Sequence, residues 1–81
     1  MFEVKTGKEG EILLTGRFDA SQVGKAKIVF EAIERTTIAD LDQLDYISSA
    51  GLSVLLVTQK RLKDNGNELI LKNMNKPSDF S

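Results

Sequence analysis

The residues best suited to chemistry in this 81-residue chain lie at positions 46–52, which read Tyr-Ile-Ser-Ser-Ala-Gly-Leu. Here Ser48 and Ser49 stand where the sequence predicts that a loop becomes a helix. The first backbone amides of a helix lack partners and its dipole is positive at that end, so an anionic group is stabilised there. A phosphate on Ser49 would add about −1.5 to −2 charges at this point. From local physics alone, either serine also fits the simpler role of a helix N-cap, worth about 1 kcal/mol.

The composition removes most other catalytic chemistry. The chain contains no His and no Cys, so it lacks the commonest general base, the thiolate nucleophile and every sulfur-based zinc site. Ser49 is not in a nucleophile elbow, which needs glycine two residues before and two after the serine. The net charge of −1 gives no general attraction to nucleic acid or anionic lipid. We therefore expect a cytoplasmic protein that is not an enzyme, with no catalytic residues, no cofactor, and no nucleic-acid or membrane partner.

Three carboxylates offer the alternative of a metal-dependent enzyme. Asp40, Asp42 and Asp45 are spaced by two and three residues, without the glycine that turns an EF-hand loop. Solvated carboxylates at the end of a strand are the more common arrangement, so we predict no metal site. A metal-assisted phosphatase built on these carboxylates stays open as the weaker interpretation.

Periodicity and turn residues predict the elements at the start of the chain. Alternation over residues 2–5 and an apolar stretch over residues 11–15 predict two strands, and the glycines between them favour a hairpin. Asp19 is predicted to be the N-cap of a helix over residues 20–34. The apolar face of that helix comprises Val23, Ala26, Phe30 and Ile33.

The second half of the chain predicts a strand, a helix and a strand. Residues 36–41 are rich in β-branched side chains and predict the third strand, followed by a connection over residues 42–47. The strongest predicted helix comes next and ends at residues 65–66, Asn-Gly. Its expected core face comprises Leu52, Leu55, Leu56, Gln59 and Leu62. Residues 67–74 contain the fourth strand, and residues 73–81 are predicted to be a loop or tail.

Two motifs in this element order resemble the STAS domain, and more narrowly the bacterial anti-sigma factor antagonists. One is Thr-Gly-Arg-Phe-Asp after the second strand, over residues 15–19, and the other is Ser-Ser-Ala-Gly-Leu at the second helix, over residues 48–52. The resemblance implies one α/β domain over residues 1–81, a small mixed sheet in which an N-terminal hairpin is followed by βαβαβ, with helices packed on it. The family continues with a further helix and strand, so these C-terminal elements are expected to be missing. The uncovered surface then leaves a homodimer open.

The resemblance also implies a function. Ser49 matches the phosphorylated serine of the family, with Ser48 as the alternate acceptor, and Gly51 is expected to keep the approach to Ser49 open. The implied partners are an anti-sigma factor that is also a serine kinase, bound when Ser49 is unmodified, and a serine phosphatase that resets the switch. The expected partner-binding residues are Phe18, Asp19, Ser48, Ser49, Gly51 and Ser53.

Two further alternatives stay open at this point. One is a constitutive STAS scaffold module in which Ser49 has no regulatory role and only the helix cap matters. The other concerns Ser53, Val54 and Val57, which fall off the predicted core face of the second helix. These three residues fit either a partner-docking face or a surface that a C-terminal segment buries.

Overall fold

The architecture is a four-stranded mixed sheet with two helices, seen in a computed structural model that describes residues 1–74. The elements in chain order are β1 (Glu3–Thr6), β2 (Ile12–Phe18), a 3-10 turn (Ala20–Gln22), α1 (Val23–Glu31), β3 (Thr37–Ile47), α2 (Ser49–Asp64) and β4 (Leu69–Lys72). The strand order is β1-β2-β3-β4. β1 pairs with β2 antiparallel, and the other two pairs are parallel. This confirms the predicted hairpin followed by βαβαβ.

Both helices pack on the same face of the sheet. The two parallel crossovers move in one direction along the sheet, and crossovers of the same hand therefore place α1 and α2 on one side. The side chains that are almost fully buried between the layers include Phe2, Leu14, Phe18, Phe30, Leu41, Leu44, Leu55, Leu62 and Leu69. The opposite face is solvated and mixed: Lys5, Leu13, Asp40 and Lys72 lie in one row across the four strands, and the partly exposed Ile38 and Ile70 are register partners on the same face. One apolar and one solvated face explain the alternation of the strands.

The predicted connection over residues 42–47 is wrong, because β3 continues to Ile47. Residues 13 to 17 of β2 lie opposite residues 40 to 46 of β3, so β3 uses two extra residues over the same length. These bulges shift the inward-facing positions of β3 from a spacing of two to a spacing of three. The buried residues are Ala39, Leu41, Leu44 and Ile47. The alternation that identifies a strand is lost there, although the strand continues.

The helices differ from the prediction in extent and in orientation. α1 starts only after the 3-10 turn and ends at Glu31, three residues before its predicted end. On α2, Leu56 was expected in the core but is 45% exposed, because it overhangs the free edge of β4 beside Ile70. Thr58 is buried in that part of the helix, and its hydroxyl donates to the carbonyl of Val54 at 2.8 Å.

The chain leaves β4 through a fixed turn. Asn73 has a φ of 60°, and its side-chain amide donates to the Asp40 carboxylate at 2.9 Å. Residues 73 and 74 belong to no helix or strand. The remainder of the predicted tail, and the question of missing C-terminal elements, lie outside the described residues. Neither helix of residues 1–74 combines the length and the apolar character needed to cross a membrane.

Candidate functional site

The candidate site lies where β3 ends and α2 begins. Ser48 is the N-cap of α2: its hydroxyl accepts from the Gly51 amide at 3.0 Å, and its carbonyl accepts from the Leu52 amide at 2.8 Å. The Ser48 side chain is buried. Its own amide donates to the carbonyl of Phe18 at 2.9 Å, which ties the start of α2 to the end of β2. Of the two serines, Ser48 therefore has the capping role.

Ser49 occupies the first helical position of α2 and is exposed. One turn later, the exposed Ser53 uses its hydroxyl to donate to the Ser49 carbonyl at 3.0 Å. This position combines surface access with the positive end of a 16-residue helix. An exposed serine can enter the active site of a kinase, whereas Ser48 would first have to leave its buried cap.

Gly51 has a packing role that the sequence prediction missed. A Cβ at this position would lie 2.8 Å from the carbonyl oxygen and 3.0 Å from Cγ of Phe18. Glycine therefore lets the first turn of α2 approach β2 closely. Phe18 itself is fully buried and stacks on Phe2, with 4.6 Å between the ring centroids. Direct contact of the Phe18 side chain with a partner would require it to leave the core.

Asp19 lies at the same edge and caps the 3-10 turn, at the position where the sequence predicted the cap of a longer helix. Its carboxylate accepts from the Ser21 hydroxyl at 2.6 Å and from the Ser21 amide at 3.1 Å. The hydrogen bond from the Ser21 hydroxyl is the main cause that holds the pKa of Asp19 below its ordinary value, and the positive charge of Arg17 contributes less. The carboxylate is thus charged and partly accessible at the surface next to α2.

A stacked Arg–Tyr pair, also missed from the sequence, completes this edge. Arg17 and Tyr46 are register partners on β2 and β3, and the guanidinium carbon of Arg17 lies 4.3 Å from the centroid of the Tyr46 ring. Arg17 is exposed and Tyr46 half-buried. A bulge in β3 brings Tyr46 opposite Arg17, and the sequence pattern alone does not indicate that bulge.

A groove between α1 and α2 starts beside Ser49. It has a volume of about 700 Å³ and runs from Ala50 and Ser53 to Arg61. Val57, which is 67% exposed, and Val54, which is buried, both line it. Ser53 faces the same groove, and Val54 also belongs to the core. Val54 belongs to the core cluster, and a docking role for Ser53 and Val57 stays a prediction.

The three aspartates of the metal hypothesis do not converge. The Asp40 carboxylate accepts from the Asn73 side chain at 2.9 Å and from the Asp42 amide at 3.0 Å. Across residues 1–74, no group of three or more potential ligands is placed to hold a metal ion. Asp40 instead links β3 to the segment after β4.

Comparison with known proteins decides the family. A family model described as the STAS domain matches residues 8–78. The chain belongs to the STAS domain family. This agrees with the mixed sheet, the two helices and the motif at the start of α2, and it confirms the resemblance seen in the sequence.

Relatives of this STAS domain are anti-sigma factor antagonists by name. BtrV of Bordetella bronchiseptica, assigned by its name to that class, is 53% identical over 38 residues. The match covers 47% of this chain and 33% of BtrV, so it spans about a third of that relative.

Two solved structures share the fold. An antisigma-factor antagonist STAS domain from Rhodobacter sphaeroides has a TM-score of 0.68 at 14% identity, covering 98% of this chain and 91% of that one. The unphosphorylated anti-sigma factor antagonist SpoIIAA also has a TM-score of 0.68, at 18% identity, covering 90% of this chain and 73% of SpoIIAA. Identities this low show the fold alone.

Proposed function

We propose that this STAS domain is a phosphorylation-switched binding module that acts as an anti-sigma factor antagonist. In this proposal, unmodified Ser49 lies in the surface that binds an anti-sigma factor, which is also the serine kinase, in a cytoplasmic circuit controlling transcription. The observation that carries it is the exposure of Ser49 at the first position of α2, beside a neighbour that already caps the helix. The class to which its relatives are assigned supports the choice of partner.

The binding surface in this proposal is narrower than the sequence suggested. Asp19, Ser49 and Ser53 supply accessible groups at one edge, and the groove between α1 and α2 extends the surface from there. Phe18, Ser48 and Gly51 are buried and hold this edge in shape. We assign them an indirect role in partner binding for that reason.

Phosphorylation would change the centre of this surface. The kinase transfers the γ-phosphoryl group of ATP to the Ser49 oxygen. ADP leaves, and the hydroxyl proton passes to a base of the kinase. The product carries about −1.5 to −2 charges where the hydroxyl was neutral. A partner surface that fits the hydroxyl would meet a strongly hydrated dianion, so binding weakens. A serine phosphatase would restore the hydroxyl by hydrolysis.

The test compares three immobilised forms of the protein in extract of the native organism: wild type, Ser49→Ala and Ser49→Asp. We expect wild type and Ser49→Ala to capture the same kinase-type anti-sigma factor, and Ser49→Asp to capture about tenfold less. Incubation of the captured pair with ATP should place the phosphate on Ser49, read by phosphopeptide mass spectrometry. Ser48→Ala serves as the control for the phosphorylation site alone, since it removes the neighbouring hydroxyl but leaves the acceptor.

The outcomes separate this proposal from its alternative. Equal capture by Ser49→Asp and wild type would favour a constitutive STAS scaffold. A phosphate found on Ser48 alone would overturn the assignment of the acceptor. Capture of no anti-sigma factor by any of the three forms would contradict the proposed partner.

A further inference from the structure

The outer edge of β4 is open for pairing with another strand. β4 is the last strand of the sheet, and no strand of residues 1–74 lies on its other side. The carbonyl of Glu68 accepts from the Thr37 amide of β3 at 3.0 Å, so the backbone groups of Glu68 and of every second residue after it point to β3. Those of Leu69 and Leu71 therefore point away from the sheet. In agreement with this, the Leu69 carbonyl accepts from the Gln59 side chain of α2 at 3.0 Å.

The same edge exposes apolar side chains on both faces of the sheet. Ile70 is 40% exposed and lies beside its register partner Ile38, on the face away from the helices. On the helical face, the exposed Leu56 of α2 and the half-buried Leu71 line a groove of about 610 Å³. Residues 69–71 carry no charge, no Pro and no bulge, which are features that usually keep an edge strand from pairing.

The charges that flank this strand complement those of a second copy. Glu68 and Lys72 are exposed and stand two residues before and two residues after Ile70, on the same face of the sheet. When two copies of β4 pair antiparallel about a two-fold axis at Ile70, each Glu68 lies opposite the Lys72 of the other copy. A parallel pair in register would place like charges together instead.

This antiparallel register also satisfies the backbone. Leu69 of one copy lies opposite Leu71 of the other, and the outward-pointing groups of these two residues can exchange both of their N–H···O bonds. The Leu69 carbonyl can keep its bond from Gln59, because a carbonyl oxygen has two lone pairs. Ile70 then forms the central pair without hydrogen bonds, in which side chains from opposite strands lie closest. Apolar side chains that are exposed in one copy thus meet at the axis.

We propose that the β4 edge binds a second copy of this chain, with two antiparallel β4 strands centred on Ile70 in one continuous sheet. The proposal does not depend on the proposed function, because no residue of this edge belongs to the site at the start of α2. Asn73 favours a second copy over the segment that follows β4. It ends the strand with a φ of 60°, and its side-chain amide donates to Asp40 of β3. The first residue after β4 is therefore anchored on the paired side of the strand.

Sedimentation equilibrium of the full chain over about a hundredfold range of concentration tests the proposal. We expect a monomer–dimer equilibrium. Ile70→Asp should raise the Kd of the dimer at least about tenfold, because it places two carboxylates opposite each other at the axis. The matched control is Ile28→Asp, which changes a 76% exposed isoleucine on α1 and should leave the Kd within about twofold of wild type.

An exchange of charges tests the register. Glu68→Lys places lysine opposite Lys72 at both ends of the pair and should raise the Kd about fivefold. Glu68→Lys combined with Lys72→Glu restores opposite charges, so its Kd should return to within about twofold of wild type. Equal losses in the single and the double variant would contradict the antiparallel register.

Two outcomes would overturn the proposal as a whole. One is a wild type that stays monomeric at every concentration. Protection of the Leu71 amide from hydrogen exchange in that monomer would assign the edge to the segment that follows β4. The other is a dimer that Ile70→Asp leaves as tight as wild type, which would place the contact elsewhere. Circular dichroism and thermal unfolding of each variant exclude a loss of fold as the cause.

Discussion

Adjacent serines have different roles at the start of α2 because helix geometry separates them. The N-cap residue keeps an extended backbone, with φ −82° and ψ 167° at Ser48, and its hydroxyl turns inward to the Gly51 amide. The next residue already has helical geometry and is exposed. A Ser-Ser pair can therefore keep its cap while the second hydroxyl is modified. Loss of the cap by Ser48→Ala would cost about 1 kcal/mol.

Gly51→Ala should destabilise the domain by about 1–3 kcal/mol, although alanine is the better helix former. The reason is the approach of α2 to Phe18, whose carbonyl oxygen would lie 2.8 Å from the new Cβ. The control is Gly24→Ala in α1, where the added methyl would point into open space and meet no other element. That change should stabilise by about 0.5–1 kcal/mol. Urea unfolding of the two variants measures both values, and a stabilised Gly51→Ala would contradict the assigned contact.

At the scale of elements, Arg61 of α2 fixes the end of α1. Its guanidinium donates to the carbonyl of Phe30 at 2.8 Å and to that of Ile33 at 3.0 Å. Both acceptors lie in the last turn of α1 or just beyond it, where the regular α-helical hydrogen bonds end and the Phe30 carbonyl accepts from the Ile33 amide at 3.2 Å instead. This bridge explains why α1 stops at Glu31 while the apolar stripe of the sequence continues to Ile33.

Arg61→Gln should therefore cost about 1–3 kcal/mol, since it removes a charged donor from two partly buried carbonyls. Lys63→Gln, in the same turn of α2 but exposed, should stay within about 0.5 kcal/mol of wild type. Denaturant unfolding of both variants measures the two changes in the free energy of unfolding. Equal effects of the two substitutions would show that only the helix dipole is involved.

Asp40 joins β3 to the turn after β4. Protonation of its carboxylate should therefore lower the free energy of unfolding of the domain at acid pH. The hydrogen bond from the Asn73 side chain is the main cause that lowers the pKa of Asp40 below its ordinary 3.8, with smaller effects from the Asp42 amide and the Lys72 charge. The folded state thus binds this proton less readily than the unfolded state. The stabilisation is complete above pH 3.8 and is lost as the pH falls through the lowered pKa.

Asp40→Asn should reduce the loss of stability that wild type shows on acidification between about pH 5 and pH 2. Urea midpoints measured across that range report it. Asp19, whose pKa is also lowered, keeps part of the slope in the variant. An unchanged slope in Asp40→Asn would mean that the hydrogen bond from Asn73 makes no difference to folding.

The elements could be predicted where one regular hydrophobic period runs through a stretch of sequence. They could not be predicted where a bulge or the edge of the sheet interrupts that period. The hairpin, the cap at Asp19, and the helix beginning at Ser48 and Ser49 all follow from local rules. The bulges of β3 break its alternation, so residues 42–47 resembled a loop. The exposure of Leu56 depends on where the sheet ends, which no local pattern encodes. At the site, motif and cap chemistry identified the serines, but the long-range contacts of Gly51 and Arg17 arise only from the pairing of β2 with β3.

At the scale of the whole molecule, the first residues complete the core. Phe2 is 2% exposed and stacks on Phe18, so it closes the layer beneath the candidate site. Phe2→Ala should cost about 3–5 kcal/mol, a large part of the 5–15 kcal/mol that is typical of a small domain. Met1→Ala, at a residue that is 95% exposed, should have almost no effect. Thermal and urea unfolding compare them, and a mild Phe2→Ala would place Phe2 outside the cooperative core.

The contacts that hold the amino terminus in place also determine where a label can be attached to this protein. The carbonyl of Phe2 accepts from the Lys25 ammonium at 3.0 Å, and Gly16, with a φ of +87°, leaves room for the Met1 carbonyl where a side chain would collide. A dye or purification handle joined ahead of Met1 would thus begin beside Arg17, where it could screen the surface it is meant to report on. Lys8 lies in the turn of the β1–β2 hairpin, at the end of β2 opposite to Arg17. Because the sequence has no Cys, one thiol introduced there would give a unique and unobstructive attachment point.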